Sequence, residues 1–69
     1  MMIWRATPES LASGHFEIRH DPLAGFYLYI FDGENCVADY LQDSLEIAME
    51  VAFENYSVPK DAWKRDEIG

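Results

Sequence analysis

Between Asp32 and Glu54 this chain has no lysine and no arginine, yet that stretch carries Asp32, Glu34, Asp39, Asp43, Glu46, Glu50 and Glu54. The basic side chains stand nearer the ends, as Arg5, Arg19, Lys60, Lys64 and Arg65, and the net charge is −8 at pH 7. A surface of this kind repels phosphate, which argues against DNA or RNA as a ligand of the acidic face. A basic protein is the electrostatically sensible partner. The plainer alternative is that acidity only keeps a small domain soluble.

Cysteine is nearly absent as well. Cys36 stands alone, so no internal disulfide can form, and a cytoplasmic, bacterial-style protein is expected. No apolar run resembles a signal peptide or a membrane span, so no membrane role is expected.

Signals of catalysis are missing too. His15 and His20 lie five apart on a strand, which points them to opposite faces and keeps them from sharing a metal. Cys36 has no base beside it and reads as a small buried apolar residue rather than a nucleophile. Ser10, Ser13, Ser44 and Ser57 lack the glycine framing of a nucleophile elbow. Acid–base chemistry needs a cleft, for which 69 residues leave little room. The expectation is a protein without enzymatic activity, cofactor or metal.

What the chain does contain is apolar surface. It is 49% hydrophobic and includes four phenylalanines, four tyrosines and two tryptophans, enough for one folded domain over residues 1–69. At this size a single core leaves only a few kcal/mol of stability. Met2 to Arg5 is a candidate edge strand. Thr7-Pro8-Glu9-Ser10 has helix-start chemistry, and one helical turn ending at Gly14 follows. His15–His20 alternates as a half-buried strand, with His20 capping its end. Asp21-Pro22-Leu23-Ala24-Gly25 is a turn into Phe26–Phe31, which is apolar on both faces. Phe26, Leu28 and Ile30 form one face, and Tyr27, Tyr29 and Phe31 the other. After the turn Asp32–Asn35, Cys36–Tyr40 is a short third strand.

A helix then runs from Asp43, read as N-cap with Glu46 closing a capping box, to Tyr56, where Ser57-Val58-Pro59 stops it. Trp63 should return against the body, and residues 64–69 read as a frayed tail. Short turns force antiparallel pairing. The expected fold class is therefore α+β, a three-stranded antiparallel sheet with one main C-terminal helix packed on one face.

Helical spacing gives a stripe of Leu45, Ala48, Met49, Ala52, Phe53 and Tyr56, so Phe53→Ala should cost about 3–5 kcal/mol. Ile47 and Val51 point away from that stripe, beside Glu46, Glu50 and Glu54. One helix also leaves either the tyrosine or the phenylalanine face of the sheet to be covered. Trp4, Trp63 and the early turn could cover it within one molecule; a partner or a second copy is the other solution. The candidate partner-binding residues are thus Glu46, Ile47, Glu50, Val51 and Glu54 on the helix, with Tyr27 and Tyr29 on the sheet.

The stretch from His15 to Tyr56 resembles the sheet-and-helix module of HicB-type bacterial antitoxins. The matching residues are Asp21, Gly25, Phe26, Cys36, Asp43, Ser44, Glu46 and Ala48. It departs from that pattern in three respects: Asp-Gly-Glu-Asn-Cys replaces a Pro-Asp-Leu-Pro-Gly-Cys turn, the Cys36–Asp43 spacing is too long, and no basic DNA-binding segment follows the helix. The helix with Val58-Pro59 and Trp63 is equally similar to small bacterial proteins without an assigned function. The resemblance implies an antitoxin- or immunity-type module that binds a basic protein. The alternative is a self-associating, dimeric structural domain.

Overall fold

The computed structural model describes residues 2–7 and 14–67, with backbone alone for Glu67. The helical turn expected before Gly14 falls on residues 8–13, outside the described residues. The elements are β1 (Met2–Ala6), β2 (Gly14–Asp21), β3 (Gly25–Asp32), β4 (Asn35–Gln42), α1 (Leu45–Tyr56), a 3-10 turn at Lys60–Ala62, and β5 (Lys64–Glu67).

The three-stranded sheet is overturned. Among the described residues five strands form one antiparallel sheet in the order β4-β3-β2-β1-β5. Met2–Arg5 is consequently not an edge, because β1 lies between β2 and β5. The residues read as a frayed tail supply β5 instead. Its four charged side chains hide the strand from any test of alternation. What holds it are contacts distant in sequence: Arg5 Nη1 donates to Asp66 Oδ2 at 2.8 Å, and the Trp63 ring stands edge-on to Phe16 at 6.5 Å. Trp63 thus does return against the body.

The first four strands form a meander with short turns. Asp21 Oδ1 accepts from the Leu23 and Ala24 amides at 2.9 and 3.3 Å, closing the β2–β3 hairpin as an Asx turn. Residues 43–63 then carry the chain across one face, from the β4 edge to the β5 edge.

That face carries the core. Ala6, Phe16, Ile18, Leu28 and Ile30 of the sheet are buried with Ala48, Ala52 and Val58. Phe26, Leu28 and Ile30 therefore face the helix and Tyr27, Tyr29 and Phe31 face away, as strand alternation requires. Trp4 and Trp63 pack on the helix side, against Phe26 at 6.0 Å and against Phe16, so neither covers the tyrosines.

The helix phase also differs from the expected stripe. Ala48 and Ala52 are fully buried, Leu45, Met49, Val51 and Tyr56 flank them, and Phe53 is 52% exposed. Two alanines let the helix axis approach the sheet closely, which centres the contact on them. At about 100° per residue this places Phe53 beyond one flank of the contact and Ile47 beyond the other. The Phe53 ring lies beside Lys60, whose Nζ is 5.9 Å from its centroid. Phe53→Ala should therefore cost less than about 1 kcal/mol, checked by the midpoint of urea unfolding.

The helix cap moves by one residue. Ser44, not Asp43, is the N-cap, and its Oγ accepts from the Ile47 amide at 3.1 Å. Glu46 falls outside the capping-box position. At the other end Ser57 is left-handed at φ 57°, and the Ser57 and Val58 amides donate to Phe53 and Ala52 carbonyls. Val58 is buried, which fixes how the chain leaves the helix.

Candidate functional site

Strand order turns the uneven charge of the sequence into a polarity across the sheet. Arg5, Arg19, Lys64 and Arg65 lie on β1, β2 and β5. Glu34 and Asp43 flank β4, Asp39 lies within it, and Glu46, Glu50 and Glu54 lie on α1. The same three strands also carry Glu17, Asp21, Asp66 and Glu67, so one edge of the molecule is of balanced charge; the other is acidic.

On α1, Glu46, Glu50 and Glu54 are all exposed and spaced i, i+4. Like charges at this spacing disfavour the helix by a few tenths of a kcal/mol per pair, and Glu54 adds a negative charge to the negative end of the helix dipole. The relief within the chain is slight: Lys60 Nζ approaches Glu50 Oε1 at 3.9 Å with both side chains more than half exposed. Glu46, Met49, Glu50 and Lys60 line an open recess of about 250 Å³. Ile47, 42% exposed, borders this strip, but Val51 packs on the core.

The opposite face of the sheet is built differently. The Tyr27 and Tyr29 rings lie 5.9 Å apart, Phe31 continues the row at 6.3 Å from Tyr29, and His15 stacks on Phe31 at 4.6 Å. The Arg19 guanidinium sits 5.1 Å from the Tyr29 ring centroid. Beside this row Glu17, only 5% exposed, accepts from Arg5 Nε at 2.9 Å and Arg19 Nη2 at 3.2 Å. Sequence reasoning missed this network; the only signal was a lone outward Glu17 between His15 and Arg19 in an alternating strand.

Burial alone would push the Glu17 carboxyl up, but the Arg5 hydrogen bond, the Arg19 charge and their companion interactions outweigh it and hold the carboxyl below its ordinary value. A carboxyl lowered in the folded state stabilises the fold above its unfolded pKa, and that contribution disappears as pH falls through the folded value. Glu17→Gln should accordingly lower stability near neutral pH by about 1–2 kcal/mol. The difference from wild type should vanish in acid, once Glu17 is itself neutral. Urea unfolding of both proteins from pH 7 to pH 3 checks this, and a difference independent of pH would contradict it.

The seven sequence-derived contact residues do not form one surface. Glu46, Ile47, Glu50, Val51 and Glu54 belong to the helix layer; Tyr27 and Tyr29 face the other way, across the sheet. His15 and His20 do fall on opposite faces, His20 stacking on Phe26 at 4.4 Å rather than only ending the strand. Cys36 is not buried: it is exposed on β4, its Sγ 3.5 Å from the Ala38 carbonyl. Among the described residues no three His, Cys, Asp or Glu side chains gather as a metal site, and no helix is long and apolar enough to cross a membrane. Compared with protein-family models, curated proteins and solved structures, the chain matches none.

Proposed function

We propose that this chain is a small acidic binding module without enzymatic activity, which takes a basic protein as partner in the manner of an antitoxin or immunity protein. The observation that carries this reading is the exposed, self-repelling strip Glu46–Glu50–Glu54, together with the acids of β4 and its flanks on the same side of the charge division. A cationic surface placed there would relieve the repulsion, and exposed Ile47 supplies apolar area at its border. Arg5 and Arg19 are engaged by Glu17 and Asp66 on the far side, so they do not neutralise it. The single Cys36 fits a reducing, cytoplasmic setting. A dimer joined through Tyr27, Tyr29, Ile47 and Val51 together is disfavoured, because those residues occupy two layers and Val51 is engaged in the core.

Affinity capture from an extract of the source cells tests the proposal. The wild type should retain a basic protein at low salt and release it as ionic strength rises. Against the captured protein, Glu50→Lys should slow association about ten-fold, and Ile47→Asp should speed dissociation. Ile47 is the better probe than Val51, whose substitution would disturb the core. Unchanged kinetics in both variants would reduce the helix flank to a solvated surface.

A further inference from the structure

The two edges of the sheet differ. At one edge, β5 reads Lys-Arg-Asp-Glu, a charged sequence of the kind that discourages another strand from pairing. At the other, β4 reads Asn-Cys-Val-Ala-Asp-Tyr-Leu-Gln, with Asp39 its only charge and neither lysine nor proline. Val37 is 61% exposed and Leu41 51%. Beyond the irregularity opposite Ile30 and Phe31, β4 pairs regularly with β3 from Ala38 to Gln42. Among the described residues, no other strand pairs with its outer backbone groups over that length. Apart from the bulge at Val37 and the charge of Asp39, this edge lacks the protection of β5, and over Ala38–Gln42 it is a template for strand addition, in which main-chain hydrogen bonds supply affinity and alternate side chains supply selectivity.

The charges around it state what kind of strand fits. Asp39 lies on the tyrosine side of β4, next to Leu41; Glu34 stands before the strand and Asp43 after it. An incoming strand with lysine or arginine near Asp39 and at its ends, and an aliphatic side chain beside Leu41, would complement all three acids. A second acidic copy presenting its own β4 would bring like charges together instead.

We propose that β4 is the docking edge, and that an extended basic segment of the partner protein adds to Ala38–Gln42 as a sixth strand. This rests on the reading that the chain binds a basic protein, and specifies how. The probe is the capped octapeptide Lys-Thr-Val-Thr-Lys-Thr-Val-Lys, which sets lysine and valine in turn along one face as Asp39 and Leu41 require, compared with the same peptide N-methylated at its four central amides and with a glutamate–valine counterpart in which each lysine is replaced by glutamate. N-methylation blocks both edges of the peptide and leaves every charge in place. The lysine–valine peptide should bind more than about ten-fold tighter than either control and should slow exchange of backbone amides within Ala38–Gln42. Leu41→Lys, which guards the edge with a cation at an exposed position, should abolish that binding; Leu23→Lys, at the exposed tip of the β2–β3 hairpin, should not.

Equal binding of the parent and N-methylated peptides would overturn the strand-addition proposal while leaving a basic partner in place. Silence from both basic peptides would overturn the proposal and count against the basic partner as well. Concentration-dependent protection of β4 without peptide would identify a second copy as the occupant, which also overturns it.

Discussion

Phe16→Ala should leave the protein largely unfolded at 25 °C. Phe16 is fully buried, and its ring meets Tyr56 at 5.5 Å and Trp63 at 6.5 Å. It therefore joins the centre of the sheet to the end of α1 and to the segment that delivers β5. Truncating a buried phenylalanine costs about 3–5 kcal/mol, through lost transfer energy and the cavity left behind. A domain of this size has a total stability of about the same magnitude. Loss of far-UV structure and a collapsed urea transition are the expected readouts. The contrast with Phe53→Ala is the sharper test, since both substitutions remove the same atoms. Similar costs at the two positions would mean that α1 is rotated from the phase described above.

Gly25→Ala is expected to be nearly as damaging, for a backbone reason. Gly25 opens β3 at φ 129°, a conformation that a side chain rarely permits. A Cβ there would lie 2.5 Å from the Gln42 carbonyl oxygen of the neighbouring strand, and neither backbone can yield without breaking the β3–β4 register. The cost should be about 2–4 kcal/mol. Gly33 provides the control. Its φ of 62° is also left-handed, but nothing lies within 4 Å of a Cβ placed on it, so Gly33→Ala should cost only about 1 kcal/mol. Urea unfolding of the two variants separates conformational strain from collision. Equal losses would show that the close approach of Gly25 to β4 is not what that glycine serves.

The sequence made the local elements legible and left their assembly hidden. Alternation found His15–His20, and two-sided apolarity found Phe26–Phe31. The Asp21–Gly25 turn, the helix and its end at Ser57 were readable from local chemistry. β5 was not, because its pairing with β1 depends on Arg5 and Asp66, 61 residues apart, and on Trp63 meeting Phe16. The centrality of β1 was hidden by the same fact. The helix phase failed for a different reason. Periodicity ranks Phe53 above alanine as a core residue, whereas close approach to a sheet favours Ala48 and Ala52 at the contact. Of the site residues, the glutamates were found as exposed charge. Their separation from Tyr27 and Tyr29 required knowing which face the helix covers.

If the proposed function holds, the acidic side of the molecule, β4 with the outer strip of α1, is its working surface. The most direct measurement is an NMR titration of the isotopically labelled protein with the captured basic partner, following every assigned backbone amide. Shifts and exchange protection should concentrate on Ala38–Gln42 and around Glu46, Ile47, Glu50 and Glu54, with β1 and β5 unmoved. Perturbations centred on Arg19, Tyr27 and Tyr29, or on the β5 edge, would contradict the account and move the interface to the opposite face or the opposite edge of the sheet.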